Sequence, residues 1–209
     1  MLSAIRQYLR QRRYGEPIIV VSGLPRSGTS MTMKMLAAGG IALITDEVRL
    51  PDEDNPKGYF ELESVKSLGE QDDKSWLAEA RGKAVKVISH LLRELPDHYA
   101  YRIIFMNRHV QEVIRSQNKM LTRRGEELSG DDQNVISLFE QHLRLIRPWL
   151  RKQPNISVLE LHYSKVVKDP LQGAVQIAGF LKTDLDQEKM ASVVDPGLCR
   201  NRADSTLKN

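Results

Sequence analysis

Short apolar runs alternate along this chain with longer segments in which apolar residues recur at helical spacing. Five runs have the length and apolar character of buried strands: residues 18–21, 41–45, 84–88, 102–106 and 156–161. Helical spacing predicts helices over residues 29–38, 61–81, 110–121, 135–152 and 171–181, and the uneven apolar phase of the second allows a break near Gly69. Strands that alternate with helices are typical of a parallel sheet covered by helices on both faces. The pattern therefore predicts an α/β fold with three layers, α/β/α, around a central parallel sheet.

The two ends of the chain are interpreted as additions to one domain. Residues 1–16 have apolar positions at helical spacing and are predicted to form an amphipathic helix packed on a core of residues 17–181. Residues 182–209 are expected to form a further helix and a tail. Asp169 followed by Pro170 is typical of an N-cap and a first helical residue, and this pair predicts where the last core helix begins.

Two polar stretches are predicted to be surface loops. Residues 46–58 contain two prolines, and residues 122–134 are charged and contain glycine. Loops of this length often carry function, so both are candidates for lining a ligand pocket. On the neighbouring helices, we expect Leu138 and Val175 to face inward because they fall on the apolar side of the helical pattern.

Composition and charge narrow the class of protein. The chain has 209 residues, 41% of them hydrophobic, which is enough for one core in one domain. Its net charge of +4 is spread along the sequence, which suits an anionic ligand and argues against nucleic acid as a partner. The one cysteine, Cys199, excludes an internal disulfide, and no apolar run is long enough for a signal peptide or a transmembrane helix. These features predict a cytoplasmic protein.

The main functional signal is the glycine-containing segment between the first predicted strand and the first predicted helix. A strand, a glycine loop and a helix N-terminus in this order point backbone N–H groups at a phosphate. The candidate phosphate-binding residues are Arg26, Ser27, Gly28, Thr29 and Ser30. The glycine spacing is that of a Walker A loop, but Thr29 stands where that motif has the lysine that reaches the β- and γ-phosphates. The loop therefore indicates a phosphorylated ligand without the usual triphosphate-binding lysine.

Two further signals lie after later strands. Arg108 follows the fourth predicted strand, and Ser116 lies eight residues later on the next helix, so both can face the crevice where open α/β sheets bind ligands. His90 lies just past the third strand, and a histidine with a near-neutral pKa suits removal of a proton from a hydroxyl. The remaining histidines are interpreted as structural or solvated: His98, His109, His142 and His162.

Together these motifs resemble those of the sulfotransferases. Residues 25–30 are similar to the loop that holds the 5′-phosphosulfate in that family, and Arg108 with Ser116 is similar to its 3′-phosphate site. Ser89-His90-Leu91 resembles the family's Thr-His-Leu, in which the histidine is the general base. The resemblance implies a P-loop-NTPase-like sulfotransferase fold. It also implies in-line transfer of a sulfuryl group from 3′-phosphoadenosine 5′-phosphosulfate (PAPS) to an acceptor hydroxyl or amine, without a metal.

The chain departs from the family pattern at three places. Arg26 replaces the usual lysine of the loop, which preserves its charge. Ile88 stands where the family has a lysine before Thr-His-Leu, and Lys86 lies two residues further back. The family's C-terminal Arg-Lys-Gly segment is replaced by a stretch that contains Arg200, a candidate for contact with the 3′-phosphate.

Several alternatives stay open at this point. The base could instead be Glu61 or an acid within residues 46–54, because some members of the family use a carboxylate. A P-loop kinase of small molecules would need Arg26 or Lys34 in place of the missing lysine. A non-catalytic module that binds nucleotides or polyanions is the third reading. The resemblance allows a small-molecule, lipid or glycan acceptor, and the oligomeric state is not predicted.

Overall fold

The computed structural model of the protein describes residues 12–46, 60–70, 72–126 and 132–195. Four strands form one sheet: β1 (Ile18–Gly23), β2 (Ala84–Lys86), β3 (Tyr101–Asn107) and β4 (Ile156–His162). Their order is β2-β1-β3-β4, and every neighbouring pair is parallel. All six residues of β1 are buried, as expected for a central strand covered on both faces. The carboxyl ends of all four strands consequently meet at one edge of the sheet.

Helices cover both faces of this sheet. They are α1 (Thr29–Ala38), α2 (Glu63–Lys66), α3 (Val110–Arg124), α4 (Asp132–Lys152), α5 (Tyr163–Lys168), α6 (Pro170–Leu181) and α7 (Gln187–Ser192), with 3₁₀ helices at Ser75–Ala78 and Ser89–Glu94. Ile19 and Val21 of β1 pack in one cluster with residues of α1, α6 and α7. Ile18 and Val20 pack on the opposite face with residues of α4 and of both 3₁₀ helices. The alternation of a strand's side chains thus yields two apolar layers, and the predicted α/β/α architecture is confirmed.

The predicted strand at residues 41–45 is wrong. This segment makes a single bridge, from Leu43 to Ala84, so the described sheet has four strands rather than five. Only three residues of β2 are available to pair. Beyond the bridge the chain turns away, and the Asp46 N–H donates to the Glu61 carbonyl at 3.2 Å instead of continuing a ladder.

The predicted helix over residues 61–81 is also wrong. Only α2 and the 3₁₀ helix at Ser75–Ala78 form there, with turns after α2. The carboxylate of Asp73 accepts a hydrogen bond from the Ser75 N–H at 2.9 Å, a local bond that competes with helix formation. Apolar residues at helical spacing therefore reach the core through several short turns.

Smaller corrections concern helix ends and faces. The loop predicted at 122–134 is shorter, because α3 continues to Arg124, where Gly125 with φ 68° ends it, and α4 already begins at Asp132. Leu138 and Val175 do not face inward: they are 62% and 42% exposed.

The chain ends and the last helices agree with the pattern where they are described. The carboxylate of Asp169 accepts from the Gln172 N–H at 3.0 Å, which confirms the predicted N-cap of α6. Residues 12–14 are helical and α7 follows the core, while the rest of the predicted N-terminal helix and of the tail lies outside the described residues. No helix in the described ranges is both long and apolar enough to cross a membrane.

Candidate active site

The sequence-predicted residues gather at the carboxyl edge of the sheet. β1 leads into the loop that holds Arg26, β2 is followed by the 3₁₀ helix that holds His90, and β3 leads directly to Arg108. Leu24 of the loop packs in a small apolar cluster with α3 residues, and α4 residues pack against that cluster. This packing fixes the loop between the sheet and two helices. The edge is the place where open α/β sheets bind ligands.

Backbone geometry restricts the phosphate-loop candidate to glycine at two positions. Gly23 has φ 150°, and a Cβ there would lie 2.5 Å from Ser27 Oγ and 2.6 Å from the Met106 carbonyl oxygen. Gly28 has φ 102°, and a Cβ there would lie 2.6 Å from the Tyr163 ring. Arg26 also has a positive φ, 64°, which is uncommon for a residue with a side chain and is concentrated at functional sites.

The loop has polar groups suited to an anion. The Ser27 hydroxyl is buried, and within the described residues it has no hydrogen-bond partner. Thr29 and Ser30 begin α1, whose N-terminus has no side-chain cap. An orphaned buried hydroxyl is costly unless a further group satisfies it, and a helix N-terminus favours negative charge. A phosphate group therefore fits the residues present at this loop.

Arg26 joins the loop to α3. Its Nε donates to Ser116 Oγ at 3.2 Å, and its Nη1 lies 4.0 Å from Met120 Sδ. Ser116 is buried on the inner side of α3. Arg26 and Ser116, which the sequence assigned to two separate phosphate positions, are therefore in direct contact.

Arg108 is held from three sides. Its Nη1 donates to the Arg26 carbonyl at 3.0 Å, and its Nε donates to Glu112 Oε2 at 3.0 Å. The guanidinium lies 4.4 Å above the Tyr163 ring, within range of a cation–π interaction. The side chains of Arg108 and Glu112 are only 7% and 10% exposed, so this is a buried ion pair. The roles of Glu112 and Tyr163 were missed from the sequence, although Glu112 lies four residues after Arg108, the usual spacing of a helical ion pair.

His90 lies on the 3₁₀ helix that follows β2. The residue is exposed, but one face of its ring is covered by His142, with ring centroids 3.8 Å apart and planes 11° apart. Phe139 lies 6.1 Å away in a tilted arrangement. Partial burial lowers the pKa of His90 from its usual 6.5. The imidazole is therefore neutral near pH 7, the form that accepts a proton.

His142 is held in place by a neighbouring side chain, as the interpretation of this histidine as structural implies. Its Nε2 shares a hydrogen bond of 2.9 Å with Ser89 Oγ, and Ser89 is fully buried. Burial first, then the charges of His90 and Arg93, lower the pKa of His142 to about 4. The sequence offered only the position of a polar residue on the inner side of an amphipathic helix, and no local pattern links it to residue 90.

The alternative base Glu61 lies beside lysines. Its Oε1 is 3.4 Å from the Lys86 Nζ, and its Oε2 is 4.0 Å from the Lys66 Nζ. Lys86 is buried, so the 3.4 Å pair anchors Glu61 next to β2. Among the candidate acids at residues 46–54, the carboxylate of Asp46 accepts a hydrogen bond from the Glu63 N–H, and the others, like Arg200, lie outside the described residues.

A polar network lies directly beside Arg108. Arg147 Nη2 donates to Asn107 Oδ1 at 2.7 Å, and Asn107 Nδ2 donates to Glu160 Oε2 at 3.3 Å. Arg151 Nη2 donates to Glu160 Oε1 at 2.9 Å. These bonds tie the ends of β3 and β4 to α4. They therefore fix the backbone from which Arg108 projects.

The fold brings these residues together at the carboxyl edge of an α/β sheet, and comparison with known proteins places the chain in a family. The sulfotransferase family model matches residues 61–187, more than half of the chain. This chain belongs to the sulfotransferase family, and family and fold together support sulfotransferase activity. The matched region includes His90, Arg108 and Ser116, while the loop with Arg26 precedes it.

Two solved structures show the same fold. The sulfotransferase STF1 from Mycobacterium tuberculosis H37Rv superposes with a TM-score of 0.57 at 18% identity, covering 94% of this chain and 78% of that one. The sulfotransferase domain from the curacin biosynthetic pathway superposes with a TM-score of 0.53 at 15% identity, covering 92% of this chain and 94% of that one. No curated protein matches this chain in sequence. The similarity to solved structures thus shows a sulfotransferase fold.

Proposed function

We propose that this protein transfers a sulfuryl group from PAPS to an acceptor hydroxyl or amine by in-line displacement. The observation that supports this most is the contact cluster of Arg26, Arg108 and Ser116 at the carboxyl edge of the sheet. The loop expected to hold the 5′-phosphate and the pair expected to hold the 3′-phosphate lie together there. A donor that carries phosphates at both positions suits such a cluster.

Residues 26–30 hold the 5′-phosphate in this proposal. The backbone N–H groups at the start of α1 and the hydroxyls of Ser27, Thr29 and Ser30 donate to its oxygens, and Gly28 lets them approach. PAPS supplies the sulfuryl group. Arg26 balances the negative charge that grows on the phosphate oxygen as its bond to sulfur breaks, which is the electrostatic share of catalysis.

Arg108 and Ser116 select the 3′-phosphate in the same proposal. The ion pair with Glu112 and the face of Tyr163 hold the Arg108 guanidinium in one orientation. A fixed guanidinium binds a phosphate with less entropy loss than a free one. This selectivity distinguishes the proposed donor from ATP and AMP.

His90 takes the proton of the acceptor as its oxygen or nitrogen attacks sulfur. Its lowered pKa keeps the ring neutral at pH 7, and its exposure leaves the ring accessible to an acceptor. A positioned base of this kind contributes about 10²–10⁴-fold to rate. Glu61 is the alternative base. The acceptor class is a small molecule, a lipid or a glycan, and the single cysteine of the chain supports a cytoplasmic location.

Calorimetric titration with 3′-phosphoadenosine 5′-phosphate, against ATP and AMP and without metal, tests the donor. We expect selective micromolar binding of the 3′-phosphorylated nucleotide, and a loss of that selectivity in Arg108→Ala. The exposed Arg115 on α3 supplies a matched control, and Arg115→Ala should bind like the wild type. A preference for ATP, above all with Mg²⁺, would instead favour a kinase and overturn the proposal.

Turnover is tested separately with ³⁵S-labelled PAPS and three acceptor probes, 2-naphthol, a sterol and a disaccharide. Sulfation of any probe supports a sulfotransferase, and the sulfated probe indicates the acceptor class. Selective binding of the nucleotide without turnover on any probe would favour a non-catalytic binding module.

A further inference from the structure

The ring of His90 is oriented in an unusual way for a base. Catalytic histidines are commonly held by a hydrogen bond from one ring nitrogen to a further group. Among the residues that the structure describes, none makes such a bond to His90. The ring instead lies against the face of His142, with Phe139 at its side.

His142 is itself firmly placed. Its helix α4 is anchored by Ile146 and Leu150, which are 1% and 2% exposed within the apolar cluster that includes β1 and β3. Its Nε2 is bonded to the buried Ser89 hydroxyl, the residue directly before His90. The chain that carries His90 and the ring that covers it are therefore connected to each other and to the core.

We propose that His142 positions His90 for proton transfer, through ring stacking that the Ser89 hydrogen bond holds in register. The inference rests on the proposed role of His90 as base. In it, His142 touches neither donor nor acceptor and acts only through the neighbouring ring. A base whose ring plane is fixed needs no reorganisation before the acceptor arrives.

The electrostatics of the pair agree with this role. Two imidazolium rings with centroids 3.8 Å apart would repel, so the two rings do not both carry a positive charge near neutral pH. Arg93, on the same 3₁₀ helix as His90, adds positive charge that acts on His142. His142 is consequently neutral near pH 7, as His90 is, and its face shields one side of His90 from water.

The proposal predicts different effects for two substitutions of His142. His142→Phe loses the bond to Ser89 but keeps an aromatic face against His90, which the packing of α4 still places, so this variant should retain clearly more activity than His142→Ala. His142→Ala removes the face, and the His90 ring then becomes mobile and hydrated. For that variant we expect kcat to fall on the order of 10- to 100-fold, with unchanged affinity for 3′-phosphoadenosine 5′-phosphate.

An NMR titration of the histidine rings tests the inference without any acceptor. In the wild type His90 should titrate below 6.5, and in His142→Ala its pKa should rise toward 6.5 because the ring regains water. His142→Phe should leave the pKa of His90 low. The control is His98, an exposed histidine whose ring is tilted against Tyr99 at a centroid distance of 4.4 Å. His98→Ala should change neither the pKa of His90 nor kcat.

The outcomes separate the two hypotheses. If His142→Ala folds and leaves both the pKa of His90 and kcat at wild-type values, the positioning role is wrong. The stacking role is also wrong if His142→Phe loses as much as His142→Ala. If His90→Gln keeps full activity on a probe that the wild type sulfates, the assignment of His90 as the base is wrong. The NMR titration still reports on the stack in that case, as it does when no probe is sulfated.

Discussion

The guanidinium of Arg108 donates a hydrogen bond of 3.0 Å to the backbone carbonyl of Arg26, so a residue after β3 fixes the loop after β1. The side chain of Arg26 in turn reaches Ser116 on the helix that Arg108 precedes. Each arginine therefore stabilises the position of the other. A change at either residue should act on both proposed phosphate positions.

Arg108→Ala should affect stability and ligand binding together. The substitution removes the cation of the buried ion pair with Glu112, which costs about 3 kcal/mol of unfolding free energy. It should also weaken binding of 3′-phosphoadenosine 5′-phosphate. Urea unfolding and calorimetry measure the two effects. The double variant Arg108→Ala/Glu112→Ala should recover part of the stability and none of the binding, and recovery of both would contradict the proposed phosphate contact.

Arg26→Ala should nearly abolish turnover while the protein stays folded. The side chain of Arg26 is only partly buried and contacts Ser116 and Met120 at the edge of the sheet, outside the two apolar layers, so the core packing survives its loss. Arg26→Lys should retain more activity than Arg26→Ala, since it keeps a cation but loses the fork of donors. Initial rates with labelled PAPS measure this. Equal rates in the wild type and Arg26→Ala would remove Arg26 from the mechanism.

Gly23→Ala should destabilise the loop. Its Cβ would lie 2.6 Å from the Met106 carbonyl oxygen, a backbone atom of β3 that cannot move without shifting the sheet. We expect a loss of about 1–3 kcal/mol of unfolding free energy, together with loss of nucleotide binding. Gly179 on α6 is the matched control because nothing lies within 4 Å of a Cβ there. Gly179→Ala should be neutral, or stabilising by about 0.5–1 kcal/mol.

The stability of the protein should depend on pH through His142. Its pKa is about 4 in the folded protein and near 6.5 in the unfolded chain, so between these values the unfolded state binds more protons. The free energy of unfolding should therefore fall as pH falls from about 6.5 to about 4. Urea unfolding at a series of pH values measures this slope. His142→Phe should flatten it, and an equal slope in both proteins would contradict the burial of a neutral His142.

The pH dependence of kcat/KM should reflect the protonation of His90, which acts as a base in the proposed mechanism. The neutral ring is the active form, so kcat/KM should rise with pH and level off above the pKa of His90. Because partial burial lowers that pKa, the midpoint should lie below 6.5. Initial rates measured over a range of pH with a probe that the wild type sulfates check this. An activity that falls as pH rises from 5 to 7 would exclude a histidine base.

Local patterns along the chain determined most of the fold. Buried strands, the glycine loop before α1, and the cap at Asp169 are set by residues close in sequence, and the structure confirms them. Two predicted elements did not form, the strand at 41–45 and the long helix at 61–81. At the end of the first segment, the Asp46 N–H bonds to the distant Glu61 carbonyl. In the second segment, the Asp73 side chain bonds to the nearby Ser75 N–H. These hydrogen bonds override the structure that the apolar spacing predicts.

Only the tertiary structure decided which functional residues meet. The sequence alone indicated three separate signals: the loop with Arg26, the pair of Arg108 and Ser116, and His90. Two contacts join residues of different elements: Arg26 bonds to Ser116, and His90 stacks on His142. The tertiary structure also buries the ion pair of Arg108 with Glu112. Such contacts depend on the order of the strands and on the packing of α3 and α4 over the loop. The physical reason is that strand order and helix packing are long-range properties, and no spacing within one segment encodes them.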